Sequence, residues 1–272
     1  SLAAVVKLNN SVDLNIRKQM DALLRYPYGC LEQSASSTYP WLFATDKNLQ
    51  QMGLHNNTNK SRQQSIERGL QRIAQQQLSN GGYGLWTNKD HEEQWLTAYV
   101  GDFLSDARAM GVTVGEQQYN KTMQRLDDYV SKRNGSFAHP WNDDNGHYSI
   151  AYRAYAAYVL SRHQKANLSK LRSLLKQSAG RARSFLPLVH LGLALHNQGD
   201  SQLGDKALEQ AFAIQRGDGY YADYGSDIRD SALTVHLLVR HKKHLDKARE
   251  LGLAVAEQLQ QRRYLSTQER NS

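Results

Sequence analysis

Residues 77–86 read QLSNGGYGLW, a glycine turn followed by aromatic residues, and they join two segments of helical periodicity. The same order of glycine, aromatic residue and polar loop returns at residues 132–137 and 215–221. Glycine permits the left-handed backbone that ends many helices, and the aromatic ring after it can fill the gap between neighbouring helix pairs. The repeat therefore predicts helical hairpins that stack side by side to bury their apolar faces.

Apolar residues on both sides of these turns recur mostly three or four positions apart, as they do on one face of an α-helix. The three clearest stripes contain Ile66, Leu70, Ile73 and Leu78, then Trp95, Tyr99, Phe103 and Ala107, then Ile150, Ala154, Tyr158 and Leu160. Further helices are predicted near residues 184–198, 203–215, 230–241 and 246–261. Strict alternation of apolar and polar residues is scarce and the chain has only 4 prolines, so the predicted fold class is all-α.

The intervals between the glycine turns are irregular and match neither a TPR nor a HEAT repeat. The longer interval leaves room for a further repeat around residues 168–200. Stacked helix pairs can form an open solenoid, or they can close into an α/α toroid with an inner and an outer ring of helices. Irregular loops suit the closed form better, and we therefore predict a toroid.

The chain is basic, with a formal net charge of +8 and a sequence pI of about 9.4. Its basic residues are scattered among acidic ones, and no basic run is longer than a pair such as Lys242 and Lys243. This pattern is typical of a solvated surface and lacks the clustered stripe or binding motif of a nucleic-acid partner. We predict no nucleic-acid binding.

A single cysteine, Cys30, excludes an internal disulfide and any metal site with several cysteines. Asp143, Asp144 and His147 do not complete a metal-ligand set, so we predict neither a metal nor a cofactor. No apolar run approaches the roughly 20 residues that a bilayer span requires. The first residues also lack a signal-peptide pattern, which fits either a cytosolic protein or a piece of a longer secreted one.

Residues 26–33 read YPYGCLEQ and place the cysteine three positions before Gln33. A thiol and a carboxamide at this spacing can meet if the backbone turns between them, and Gly29 gives the chain freedom to turn. Attack of the thiolate on the carboxamide would expel ammonia and leave a cyclic thioester. Its carbonyl would react with water or amines unless aromatic side chains such as Tyr26 and Tyr28 kept them out. On spacing alone, a buried and unreactive cysteine remains the alternative.

The wider motif Gly-Cys-x-Glu-Gln at residues 29–33 resembles the thioester signature shared by complement components and alpha-2-macroglobulins. The residues before Cys30, and the Leu after it, are similar to those of bacterial alpha-2-macroglobulins. Pro40, ten residues beyond the cysteine, and the stretch at residues 95–100 also resemble family features. The likeness extends over most of residues 12–260.

The resemblance implies an α6/α6 toroid of helical hairpins over residues 13–262. Residues 1–12 would connect it to a preceding module, and residues 263–272 would form a C-terminal tail leading to the next. The complete chain would then also contain macroglobulin-like and CUB domains and a bait segment. The resemblance further implies a bacterial, periplasmic protein, anchored to the inner membrane through an N-terminal lipoprotein segment outside this sequence.

The implied function is that of a protease inhibitor. Cleavage of the bait would expose the thioester, and a lysine amine of the protease would attack Gln33, with the Cys30 thiol as leaving group. The site would be consumed, so no enzyme activity is expected. Gly29 and Glu32 would support the motif, and we expect Glu32 to stabilise a helix N-terminus there.

Some complement proteins carry a histidine that attacks the thioester and redirects it towards hydroxyl groups. His147 is the candidate here, and His139 is a weaker one. The simpler interpretation places both in a polar surface loop, and direct attack by amines is then expected.

Three other functions are alternatives to the thioester. An enzyme with an α/α toroid would need a group of carboxylates facing its cavity, and no such motif is evident. A cysteine hydrolase would pair Cys30 with a histidine and leave Gln33 without a chemical part. A helical scaffold would make no chemical use of either residue.

Overall fold

The computed structural model describes residues 22, 29–51, 59–132, 146–217, 219, 221–262 and 264–272. These ranges contain helices α1 (Leu31–Phe43), α2 (Asp46–Gln51), α3 (Asn59–Gln75), α4 (Gln94–Ala109), α5 (Glu116–Ser131), α6 (His147–Ser161), α7 (Leu168–Ser178), α8 (Leu186–Asn197), α9 (Ser201–Phe212), α10 (Asp227–His241), α11 (Leu245–Gln261) and α12 (Thr267–Asn271). A 3-10 turn at Ala179–Arg181 follows α7, and the described part of the chain contains no β-strand.

The helices form two concentric rings. Helices α1, α4, α6, α8 and α10 contact one another in that order and make the inner ring. Helices α3, α5, α7, α9 and α11 alternate with them along the chain and pack outside. The short helix α12 contacts both α10 and α1 and so closes the inner ring. The predicted all-α class and the α/α toroid are confirmed, and the described residues contain five of the helix pairs that an α6/α6 toroid requires.

The burial pattern follows from this arrangement. Fourteen of the 15 residues in the inner helix α6 are buried, whereas only three of the 17 residues in the outer helix α11 are buried. A helix covered on all sides can be apolar all round, while a helix on the outside needs only one apolar stripe. The inner ring therefore provides most of the core.

The helices predicted in the second half of the chain are confirmed to within a few residues, at α8, α9, α10 and α11. The repeat suspected around residues 168–200 is the hairpin of α7 and α8. No helix in the described ranges is long and apolar enough to cross a membrane.

The turn at residues 77–86 packs as its sequence predicts. The Tyr83 ring is fully buried, and its hydroxyl lies 3.0 Å from the Thr122 hydroxyl of α5. Gly81 has a φ of +91°, and a Cβ atom there would lie 2.3 Å from the carbonyl oxygen of Lys121. The aromatic ring and the close backbone approach therefore join α3 to α5.

The second glycine turn is only partly described, and the third differs from the expectation. Residues 133–137 of the second turn lie outside the described residues. The glycine at position 217 in the third turn does not have a positive φ, and the left-handed glycines that follow helix ends are Gly111 and Gly199. The repeated glycines therefore permit close packing more than they end helices.

Gly81→Ala should lower the free energy of unfolding in two ways. An alanine at positive φ costs about 1–2 kcal/mol, and the contact with the Lys121 carbonyl should add about 1–3 kcal/mol of overpacking. Gly111→Ala is the matched control, because Gly111 has a φ of +77° and nothing lies within 4 Å of the position of its Cβ. Equal shifts of the urea midpoint in the two variants would show that the approach of residue 81 to α5 is not tight.

Candidate functional site

Helix α1 begins directly after Cys30, the N-cap residue, whose backbone is extended with φ −68° and ψ 175°. The backbone N–H of Gln33 donates a hydrogen bond to the Cys30 sulfur, and the backbone N–H of Cys30 donates to Gln33 Oε1 over 3.3 Å. These reciprocal bonds form a capping box, which satisfies backbone groups that a helix leaves unpaired at its N-terminus. The thiol and the carboxamide therefore share one turn of helix.

Gly29 determines where the carboxamide lies. A Cβ atom on residue 29 would come within 1.9 Å of Gln33 Oε1 and 3.1 Å of Gln33 Cδ. The sequence suggested that Gly29 is needed for a backbone turn, but the described geometry gives a steric reason instead. The carboxamide occupies the space that a side chain at position 29 would fill.

The loop at residues 77–86 holds the same helix turn from outside. The backbone N–H of Leu31, at the first position of α1, donates to the carbonyl oxygen of Leu85 over 2.7 Å. Gln76 Nε2 donates to the same oxygen over 3.0 Å. The glycine–aromatic loop at residues 77–86, from which the fold was predicted, thus also supports the first helical turn of α1.

Glu32 makes contacts that the sequence did not indicate. Its side chain is buried, with 7% of its surface exposed, and its carboxylate accepts a hydrogen bond from Ser36 Oγ at 2.8 Å. The Thr267 hydroxyl lies 2.8 and 2.7 Å from the two carboxylate oxygens, and Gln268 Nε2 donates over 3.1 Å. Glu32 was expected to stabilise a helix N-terminus, and the structure shows that it also joins α1 to α12.

The contacts of Glu32 continue into a polar cluster between α1, α4 and α12. Gln268 Nε2 also donates to Ser36 Oγ over 2.8 Å, and the Ser36 hydroxyl lies 3.2 Å from the Tyr99 hydroxyl. Asn271 Nδ2 donates to the Tyr99 hydroxyl over 2.5 Å. Residues more than 230 positions apart meet here, and no local sequence signal could have paired them.

The Cys30 thiol is buried, with 9% of the residue exposed. Burial raises the pKa of the thiol above its ordinary value, the hydrogen bond from the Gln33 backbone opposes this rise, and the nearby Glu32 charge adds to it. A catalytic cysteine in a hydrolase needs a lowered thiol pKa, which favours the reactive thiolate. The environment of Cys30 therefore argues against repeated nucleophilic catalysis.

The structure brings together Gly29, Cys30, Glu32 and Gln33. The predicted shielding residues, Tyr26 and Tyr28, lie outside the described residues. The thiol and the carboxamide thus lie within one turn in which the N–H groups of Cys30, Leu31 and Gln33 are hydrogen-bonded.

His147 lies in a different environment from the one expected. It is the first residue of α6 and is buried, with 2% of its surface exposed. Its Nδ1 accepts the backbone N–H of Arg183 over 2.8 Å, so the ring proton is on Nε2, which donates to Asp223 over 3.2 Å. Because neither nitrogen keeps a free lone pair, this arrangement does not present a nucleophile, and His147 is not a surface-loop residue.

Asp223 is the centre of a buried ion cluster around His147. Arg216 donates to both of its carboxylate oxygens, at 3.0 and 2.7 Å. Burial opposes ionisation, but the hydrogen bonds from His147 and Arg216 hold the pKa of Asp223 well below its usual range. His147 therefore helps to satisfy a buried carboxylate. The other histidine candidate, His139, lies outside the described residues, as do Asp143 and Asp144.

A second place of interest is a partly open cavity of about 570 Å³, lined by inner-ring helices and by residues of α11 and α12. Asp102 and Asp106 of α4 line this cavity, which corrects the expectation that no carboxylates would face it. Arg162 pairs with both carboxylates, and Arg240 pairs with Asp106 at 3.1 Å. The Tyr155 hydroxyl donates to Asp102 over 3.0 Å.

Asp102 and Asp106 are therefore bound by the protein itself. Burial raises the pKa of Asp102. Burial is also the largest single influence on Asp106, but the charge of Arg162 and the hydrogen bonds from Tyr39 and Arg240 together outweigh it and lower the pKa. A pair of carboxylates that acts as acid and base needs contact with a substrate. Here two arginines neutralise the two acids, and the arrangement is that of a structural ion cluster.

The chain is similar to proteins of one family. Over residues 5–190 the chain matches the family model described as the A-macroglobulin TED domain. The alpha-2-macroglobulin of Escherichia coli strain K12 is 38% identical over 275 residues, which cover 100% of this chain and 16% of that protein. The chain thus spans about a sixth of the length of this relative.

Two solved structures are similar to the whole fold. A crystal structure of Salmonella alpha-2-macroglobulin reacted with methylamine matches with a TM-score of 0.90 and 38% identity, covering 94% of this chain and 17% of that one. Trypsin-activated alpha-2-macroglobulin from Escherichia coli matches with a TM-score of 0.84 and 39% identity, covering 90% of this chain and 17% of that one. At 38–39% identity the chain resembles these proteins in sequence as well as in fold.

His147→Ala should destabilise the domain by about 2 kcal/mol, because it leaves the Arg183 N–H and one bond to Asp223 unsatisfied inside the protein. The measurement is the free energy of urea unfolding. His147→Gln keeps a hydrogen-bond donor for Asp223 and should therefore lose less stability than His147→Ala. An unchanged stability in His147→Ala, together with an altered preference between amine and hydroxyl acceptors, would show instead that the histidine acts on the acyl group.

Proposed function

Because the chain belongs to the A-macroglobulin TED domain family, we propose that Cys30 and Gln33 form an internal thioester that captures attacking proteases covalently. The observation that carries the proposal is the capping box, in which thiol and carboxamide share one turn of α1. The space above Gly29 that receives the carboxamide supports it as well.

The thioester forms by exchange of one bond for another. The Cys30 sulfur attacks Gln33 Cδ as a thiolate, the C–N bond breaks, and the nitrogen leaves as ammonia after taking up the thiol proton. In capture, an amine attacks the same carbon, the C–S bond breaks, and Cys30 regains its proton as a free thiol. Gln33 is then the acyl donor of a stable amide.

The trapping step places a protease lysine at the acyl carbon. The Salmonella relative has been obtained after reaction with methylamine, and the Escherichia coli relative after activation by trypsin. The first treatment fits a site that a small amine can reach in the uncleaved protein, and the second fits a protein that proteolysis activates. Because His147 has both nitrogens engaged, direct attack by amines is the favoured route here.

This chemistry consumes the site, so the proposed protein is an inhibitor that acts once and not an enzyme. The bait and the macroglobulin-like and CUB domains would lie elsewhere in the complete chain, with residues 1–12 and 263–272 as connections to its other modules. The proposed place of action is outside the cytoplasm, in the periplasm of a bacterium. Tyr26 and Tyr28 are proposed to shield the thioester from water.

The test of the proposal is the intact mass of native protein purified without exposure to amines. We expect a mass below the sequence mass by one ammonia, and no reaction of Cys30 with thiol reagents. Methylamine should then add one methylamine at Gln33 and release one titratable thiol. Cys30→Ser should abolish both changes while leaving the thermal unfolding transition in place.

A native sample with the full sequence mass and a reactive Cys30 thiol would contradict the thioester. A thiol that also turned over ester substrates would favour a hydrolase instead. A Cys30→Ser variant with parental inhibition of proteases would leave only the role of a scaffold.

Gly29→Ala should reduce the fraction of protein that carries the thioester. The added Cβ would lie 1.9 Å from Gln33 Oε1, so the carboxamide must swing away from the sulfur. We expect most of the purified variant to have the full sequence mass, with a stable fold. Gly180→Ala is the control, because nothing lies within 4 Å of the position of its Cβ. Equal thioester content in the two variants would disprove the steric role of Gly29.

A further inference from the structure

We propose that the C-terminal segment, residues 264–272, is part of the thioester site, with Thr267 and Gln268 as positioning residues that hold Glu32 and, through it, the first turn of α1. The inference rests on the proposed function and adds to it a control of thioester reactivity. It assigns a role in the chemistry to residues far from the motif in sequence.

The contact between the segment and Glu32 is direct. The Thr267 hydroxyl lies within hydrogen-bond distance of both carboxylate oxygens, at 2.8 and 2.7 Å, and Gln268 Nε2 donates to one of them over 3.1 Å. Ser36 supplies the remaining described donor, from the next turn of α1. Most of the hydrogen bonds to this carboxylate therefore come from α12.

These hydrogen bonds matter because they are what stabilises the buried Glu32 carboxylate. Glu32 is buried, and the three described donors to its carboxylate are neutral hydroxyl and amide groups. A buried carboxylate that loses hydrogen-bond donors becomes unfavourable where it lies and moves towards water. Removal of Thr267 or Gln268 as a donor should therefore displace the Glu32 side chain and the turn that carries it.

Glu32 is connected to the reacting atoms by a short path. It lies between Leu31, whose N–H is fixed by the Leu85 carbonyl, and Gln33, whose side chain and N–H complete the capping box with Cys30. The loop and the C-terminal segment thus hold this turn from two sides. If one of them is released, the turn can fray, because the ends of helices open most readily. An opened turn exposes the acyl carbon of Gln33 to amines.

The segment has its own attachments, so it can be altered at two residues without detaching. Ser266 and Glu269 form a capping box at the start of α12. The Ser226 hydroxyl of α10 donates to Glu269 over 2.7 Å, and Asn271 binds the Tyr99 hydroxyl. Substitutions at positions 267 and 268 can therefore be examined in a folded protein.

The experiment measures the rate at which methylamine releases the Cys30 thiol in the native protein. The variants are Thr267→Val, which removes the hydroxyl at nearly constant shape, and Gln268→Met, which removes the amide. We expect roughly a tenfold faster release in each, the factor that corresponds to one hydrogen bond to a charged group. Thr267→Ser, which restores the hydroxyl, should react at the parental rate.

Asn167→Ala is the control for a general loss of stability. Asn167 is the N-cap of α7, where its side chain accepts the Lys170 N–H, so its loss should lower the melting temperature without touching Glu32. We expect parental methylamine kinetics in this variant. Parental rates in Thr267→Val and Gln268→Met would overturn the inference, and so would acceleration in Asn167→Ala equal to theirs.

The same samples separate this inference from the proposed function. If the parent has its full sequence mass and a free thiol, the thioester itself is absent and both proposals fail. If the parent has lost ammonia but the variants at positions 267 and 268 react as the parent does, only the positioning role fails.

Discussion

An α-helix cannot satisfy its first backbone N–H groups by itself, and at α1 the partners for those groups include the atoms of the proposed chemistry. The N–H of Leu31 is bound by the loop carbonyl of Leu85, and that of Gln33 by the Cys30 sulfur. The Gln33 carboxamide in turn accepts the N–H of Cys30. Structure and reactivity thus depend on the same few hydrogen bonds. A change that opened the helix end would also change the distance between thiol and carboxamide.

The toroid makes such a helix end compatible with a water-sensitive group. Inner-ring helices are covered by neighbours, so the first turn of α1 lies against the loop at residues 77–86 on one side and α12 on another. Burial raises the pKa of the Cys30 thiol, and in the proposed thioester the same burial would make the sulfur a poorer leaving group while the site is closed. Exposure would remove this effect and favour departure of the thiolate. Opening of the site and activation of the acyl group would therefore occur in one event.

The sequence predicted the parts of this architecture that depend on local pattern. Apolar spacing indicated the helices, the turn around Tyr83 indicated stacked hairpins, and the residues around Cys30 indicated the reacting pair. The partners of Glu32 could not be predicted, because Thr267 and Gln268 come close to it only when α12 closes the ring. Hydroxyl and amide side chains carry no periodic signal that would reveal such long-range contacts.

Charge explains the remaining differences between expectation and structure. Asp102 and Asp106 are one helical turn apart, yet nothing local indicated that α4 would turn them into the cavity and towards Arg162. His147 was expected at the surface because polar residues precede it, but a buried carboxylate holds it inside. In both clusters the buried carboxylates pair with arginine side chains, as in structural ion clusters. In the proposed mechanism the groups that exchange bonds are a thiol and an amide, and the buried Glu32 carboxylate beside them holds the turn without taking part in the exchange. That arrangement suits a site that must remain inert until the surrounding structure opens.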